Sequence, residues 1–576
     1  MVAKLVTLLG IFMVLAVACG GAPAAPEPTA ASPTEPTAAP TGSETSQPTP
    51  VPQMEDPPPP AQVEVNTGNL TIMVGDLGTE RFDFSFATGP EPRNYGRIIG
   101  GFLISTNEKT EMVPGIAREW DLSDDGLTWS FTIREGVKFH DGSEVTPEDV
   151  LWTLRHTWGP QATEYTNVST VMTVSRIMDK IELTEPAKVS LTTTQPVTTF
   201  AVGISEAGSG WYHVMPKRST VGNTEEALVY DQNPIGAGIM KLVDHVPASA
   251  MKFERFDDYY YQPDNGFPED KRVSFQLLDM LVVPEEATRV AALRAGEVDI
   301  APASLTTKEQ VEAGGGRLIF GQEGALLQGK FFGCYDPQYP CHDKRVRQAL
   351  DYAIDKELIR DRLFGGAEVF QIKGWGEISP STIGYTPEID PWPFDPEKAR
   401  QLLAEAGYPN GEGFGKLILN TYPSASLPFL VESAQLVADF WRRELALDVE
   451  VSVLDSVGMD KKEKAGELNG QIQWRDNNTQ KDATNVLANA YGDPNRPDRM
   501  HGDPELFPLV QKTVQIVDAE ERERATAQLF LRLRDETYEF GIGYANIPWA
   551  VGSRVQIWKP YPLATYPSAL HTITLK

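Results

Sequence analysis

From Thr128 to Arg134 the large residues Trp129, Phe131 and Ile133 alternate with Thr128, Ser130, Thr132 and Arg134, which predicts a strand with one apolar and one wet face. Asp124-Asp125-Gly126 marks a turn before it and His140-Asp141-Gly142 another after it. Thr146-Pro147-Glu148-Asp149 then supplies an oxygen-bearing cap, a first-turn proline and two carboxylates for a helix that buries Val150, Leu151, Leu154 and Trp158. The same grammar recurs down the chain. Phe275 to Val283 reads as a strand, Pro284 to Gly296 as a helix and Glu297 to Ala301 as a short strand, a βαβ unit with a parallel pair. Asp343 caps a helix burying Val346, Leu350, Ala353 and Ile354, with its Lys and Arg residues on the solvated face, and Asp355 opens a second helix that stops at Gly365-Gly366. Asp395-Pro396 opens another, closed near Gly407. Leu430, Ala434, Val437, Trp441 and Leu445 mark one face of a helix, and Val449, Val451 and Val453 alternate as the strand after it. A capping box at Asp518 to Glu521 starts a helix running towards Phe540, and Tyr544 to Val551 reads as a strand returning to the first part of the chain. Leu70 to Val74 is a short strand, and Val168 to Thr199 is rich in β-branched residues that suggest sheet. Phe82, Phe84 and Phe86 alternate, as a strand face on the core or as an aromatic platform.

The N-terminus lacks any such periodicity. Lys4 and the apolar run after it read as an export signal over residues 1–18, too short for a membrane span of about 20 residues. Ala16-Val17-Ala18-Cys19-Gly20 resembles a bacterial lipobox, with Leu15 one place further back than usual, so Cys19 is the expected lipidation site. Residues 19–61 are almost all Ala, Pro, Thr, Ser, Glu and Gly, an extended tether. A chain of 576 residues is too long for one core, and typical domain sizes suggest about three to four domains or lobes. A formal charge of −29 argues against nucleic acid as a partner. Cys334 and Cys341 form a local disulfide or remain free thiols; they are too few for a cysteine-only zinc site, and no metal or cofactor is expected.

The pattern W-x-x-S-x-D-G-L-T-x-x-F-x-x-R-x-G-V-K-F-H-D-G-x-x-V-T-x-E-D-V, from Trp120 to Val150, resembles the signature of the family 5 solute-binding proteins of ABC importers, the oligopeptide- and dipeptide-binding type. Ala292 to Ala301, Asp343 to Asp355 and Phe394 to Tyr408 repeat the resemblance in the family's order. It implies an α/β, two-lobed, periplasmic-binding-protein-like fold (type II, cluster C) with an extra inserted N-terminal domain. On that pattern residues 62–103, 232–327 and 543–576 form lobe I, 104–231 the inserted domain, and 328–542 lobe II. It further implies a monomer outside the cytoplasmic membrane, held there by lipid only, which closes on a peptide-like solute and delivers it to a membrane permease. An oligosaccharide or metal chelate is the alternative cargo.

In the peptide-binding branch a Trp followed by an Asp lines the cleft, and the Asp pairs with the peptide's ammonium group. Here Trp474-Arg475-Asp476-Asn477 has one residue between the two where the family has two. Asp476 is thus an ammonium anchor or a loop carboxylate, Trp474 stacks on ligand or packs, and Arg475 forks a carboxylate or neutralises Asp476. Trp375, Tyr422 and Phe82 lie in segments where family members place cleft residues. A secreted hydrolase is the rival class, although no H-E-x-x-H is present and Gly203 to Ala207 lacks the second glycine of a nucleophile elbow.

Overall fold

The computed structural model describes residues 66–576 apart from 84, 87–91, 165–173, 207, 209–211, 218–229, 425–426, 480 and 565; the signal segment, Cys19 and the tether lie outside the described residues. In chain order the strands used below are β1 Asn66–Val74, β2 Ala117–Leu122, β3 Thr128–Ile133, β4 Met178–Glu185, β5 Lys188–Thr193, β6 Met240–Val246, β7 Ala250–Arg255, β8 Phe275–Val282, β9 Ile300–Pro302, β10 Arg317–Phe331, β11 Lys416–Thr421, β12 Asp448–Val453, β13 Ile472–Asn478 and β14 Glu539–Val551.

One sheet of eleven strands runs through both lobes in the order β12-β11-β13-β10-β14-β9-β1-β8-β7-β6, with Phe370–Gln371 pairing β14 from the side. β1, β8 and β9 are the parallel heart of lobe I; β11, β12 and β13 are the parallel heart of lobe II. The expected βαβ unit is present, with helix Glu286–Ala295 ended by Gly296 at φ 77°. Its two strands are not neighbours, however, because β1 lies between β8 and β9 and pairs with both.

The inserted domain carries its own antiparallel sheet, β2-β3-β5-β4. Trp129, Phe131 and Ile133 of β3 are buried as their alternation predicts. The helix Pro147–Trp158 begins with a complete capping box in which the Thr146 hydroxyl accepts from the Asp149 N–H and the Asp149 carboxylate accepts from the Thr146 N–H. This core also takes in Ala237, Tyr260, Tyr261 and Phe267, so residues beyond 231 complete it.

Lobe II packs helices on both faces of its sheet. Asp343, Asp355 and Asp395 cap the predicted helices Lys344–Tyr352, Lys356–Leu363 and Pro396–Glu405. Arg347 is not on a solvated face: it is 2% exposed, with its guanidinium donating to the carbonyls of Glu536, Cys341 and His342. Cys334 and Cys341 are disulfide-bonded. The helix from Ala519 ends at Glu536, earlier than expected, because Thr537 turns left-handed at φ 53°; strand β14 therefore starts at Glu539. Phe82 and Phe86 lie in bends rather than in the alternating strand considered above, and Phe84 lies outside the described residues.

Two strands, β10 and β14, cross between the lobes. In lobe I Arg317–Gly321 faces Ile547–Val551, and in lobe II Ala325–Lys330 faces Glu539–Ala545, with the register broken between Gly321 and Ala325. Glu323 sits in that break at φ 58°, a left-handed conformation costly for a side chain with a Cβ. Its N–H donates to Asn546, its carbonyl accepts from Thr479, and its carboxylate accepts from the N–H and hydroxyl of Ser381, both at 2.9 Å. The hinge residue is thereby tied to lobe II.

Candidate functional site

Strand direction locates the cleft. β10 runs from lobe I into lobe II, β14 is antiparallel to it, and β9 is antiparallel to β14. The carboxyl ends of β9, β1 and β8 therefore point at lobe II. β13 is antiparallel to β10 and parallel to β11, so the carboxyl ends of β11, β12 and β13 point back at lobe I. In open α/β sheets ligands sit outside the carboxyl ends of the strands, and here two such ends face each other. The inserted domain meets lobe II at the rim, where the Thr198 hydroxyl donates to the Val514 carbonyl at 2.8 Å.

Tyr422 directly follows β11, and Asp476 lies near the end of β13. The Asp476 carboxylate accepts from the Tyr422 hydroxyl at 2.6 Å and from the Ser424 hydroxyl at 2.8 Å. Burial and then the neighbouring carboxylate push the Tyr422 phenol up from its ordinary value, so it stays a donor. All three side chains are only half-buried.

Period-two alternation keeps Trp474 on the face of Asp476 and sends its immediate neighbours Arg475 and Asn477 to the other. Trp474 is fully buried, with Nε1 donating to the Ser433 hydroxyl at 2.8 Å and its ring 6.5 Å from that of Phe540. Arg475 and Asn477 point to the other face of the sheet, into a cavity of about 240 Å³. There Arg475 pairs with Glu463 at 3.0 Å. Burial opposes the charge on Arg475, yet Glu463 and the other acids around it hold the guanidinium more firmly protonated than usual.

Trp375 is 2% exposed and donates from Nε1 to the Glu539 carbonyl at 3.2 Å. Phe82 lies in the loop after β1, on the cleft side of lobe I, but its ring turns inward against Tyr95 at 4.9 Å. Asp231 holds that loop by accepting from the Phe82 N–H at 2.7 Å and pairing with Arg81. The geometry thus joins Tyr422 to Asp476 and Arg475 to Asn477, and it buries Trp474, Trp375 and Phe82. Ser424 went unnoticed in the sequence; its only signal is its place just after a parallel strand.

Residues 111–499 match the model of the bacterial extracellular solute-binding proteins, family 5, and the chain belongs to that family. It is accordingly the solute-binding component of an ABC importer, a non-enzymatic part that works outside the cytoplasm, which removes the hydrolase alternative. Heme-binding protein A of Haemophilus influenzae is 27% identical over 460 residues, 76% of this chain and 79% of that protein. The glutathione-binding protein GsiB of Pectobacterium atrosepticum is also 27% identical, over 64% of this chain and 65% of its own length, just under two thirds. Among solved structures, the ABC transporter substrate-binding protein CtaP from Listeria monocytogenes superposes with a TM-score of 0.72 at 21% identity, over 88% of this chain and 99% of that one, a likeness of fold.

Proposed function

We propose that the cleft takes a peptide-like solute whose ammonium group is met by Asp476, with Tyr422 and Ser424 orienting the carboxylate. The observation that carries this reading is a half-buried carboxylate, positioned by two hydroxyls, at the lobe-facing end of β13. A further feature supports an extended ligand. β11 pairs with β13 only at Ile472 and Gln473, which leaves the β13 edge beside Asp476 outside that pairing, and an extended peptide can add to such an edge. Contacts from both lobes would then favour the closed form.

Native mass spectrometry of protein purified without unfolding tests the cargo. A retained peptide is the expected result; a retained glycan or metal chelate such as heme overturns it. Asp476→Asn should weaken peptide binding by roughly tenfold to a hundredfold, about 1.4–3 kcal/mol, and an unchanged affinity removes Asp476 from the site. We also infer that Cys19 carries a lipid, residues 19–61 form the tether, and the protein acts as a monomer. Cys19→Ser should abolish incorporation of labelled fatty acid and release the protein from membranes, while light scattering should report one chain per particle.

A further inference from the structure

The cavity that receives Arg475 and Asn477 lies on the opposite face of β13 from Asp476, and every residue lining it falls between Lys330 and Met500. It is built from lobe II alone, so filling it requires no lobe closure. Three ion pairs surround it: Lys330 with Glu377 at 3.0 Å, Arg475 with Glu463 at 3.0 Å, and Arg496 with Asp498 at 2.5 Å. Phe332, Ala490 and Met500 supply an apolar wall.

We propose that this cavity is a second binding site, for a free α-amino acid with a short apolar side chain. The proposal goes beyond the cleft reading and does not depend on it.

The lining carries equal numbers of cations and carboxylates, so a single added ion of either sign would leave unbalanced charge in a poorly solvated place. A zwitterion adds none. Its carboxylate can be met by Lys330 and Arg475, and its ammonium by Glu377 and Glu463, because the pairs leave capacity unused. Lys330 has three donors, with Glu377 at 3.0 Å and Glu539 only at 3.8 Å. Arg475 Nε is buried and makes no hydrogen bond among the described residues. Such a group is costly to leave unmet.

Burial lifts the carboxyl group of Glu463 above its ordinary range despite the cations beside it, and an additional ammonium would relieve that. Size agrees as well. About 150 Å³ suffices to hold a benzene-sized molecule, so 240 Å³ admits an amino acid of leucine size.

Equilibrium dialysis of the full-length protein with radiolabelled L-leucine, after unfolding and refolding to strip retained solute, tests the site. Saturable binding to one site is expected, retained in Asp476→Asn and not shown by N-acetyl-leucinamide, which lacks both charges. The double change Glu463→Leu with Arg475→Met removes one ion pair without orphaning a partner and should weaken leucine binding by about tenfold or more. Ala490→Phe, which fills the cavity and spares every charge, should do the same if the double variant fails to fold. Absence of leucine binding overturns the proposal, because a cavity holding water only would give that result. Binding abolished by Asp476→Asn and untouched by the cavity variants also overturns it, by placing the amino acid in the cleft.

Discussion

At the residue scale, burial sets the behaviour of His140, His213 and His571, whose pKa values it lowers from the ordinary 6.5 to about 4. His140 is held as the neutral ring by the Gly236 N–H, donating to Nδ1 at 3.4 Å, and the Gly238 carbonyl, 3.1 Å from Nε2. Between pH 6.5 and 4 the unfolded chain binds protons at these sites that the folded protein refuses. Their contribution is therefore complete above pH 6.5 and is lost as pH falls towards 4. Buried acids such as Asp351 are shifted upward and act in the opposite sense, so a difference between proteins isolates the effect. His140→Gln, which keeps a donor and an acceptor, should flatten the fall in urea midpoint between pH 7 and 5; parallel curves for the two proteins would contradict this. Arg347→Met should cost about 1–3 kcal/mol in urea unfolding, since it strands buried carbonyls. Residues of this kind also mark what the sequence could show. The Asp343 cap was legible because its partner, the Arg345 N–H, is two positions away. The role of Arg347 was not, because Glu536 stands 189 positions away.

At the scale of elements, local signals did well wherever the physics is local. Thr146, Asp395 and Asp518 cap the helices that their patterns announce. Thr146→Ala should lower stability by about 1 kcal/mol, read from the urea midpoint. Reducing the Cys334–Cys341 disulfide, which closes a loop of sequence separation 7, should cost about 2–3 kcal/mol by loop entropy; stability unaffected by dithiothreitol would argue against that. Where tertiary packing decides, the pattern misled. Phe82 and Phe86 are buried from a bent loop, which has the same apolar spacing as a strand. The run after Glu536 continues an apolar pattern that cannot reveal the left-handed turn at Thr537. The candidate site suffered similarly. Alternation along β13 separates Trp474 and Asp476 from Arg475 and Asn477, but it does not say which face is core.

At the scale of the whole molecule, the two-lobed architecture was legible through four blocks in family order, whereas the contact between the inserted domain and lobe II was not. Thr198 and Val514 are 316 positions apart, and neither belongs to a recognisable motif. Thr198→Val removes the donor and keeps the shape, so it should shift ligand-free protein towards the open form. Small-angle scattering should then give a larger radius of gyration, and an identical curve would rule out a role for this contact in closure. The lining of the lobe II cavity was equally hidden, because Lys330, Glu377, Glu463 and Arg496 come from separate segments that no spacing rule connects.

The position of β14 between β10 and β9 also imposes a schedule on folding. The strands of lobe I that lie earlier in the chain cannot join their sheet to lobe II until residues 547–551 exist, and Arg554 then reaches back 485 positions to the Asn69 carbonyl. Closing loops of that span is slow. The first lobe therefore stays unfinished until almost the last residues are available. Lobe II pairs its parallel strands over shorter stretches of chain, yet its core also takes Phe540 and Ile542 from β14, so one late strand completes both halves of the protein.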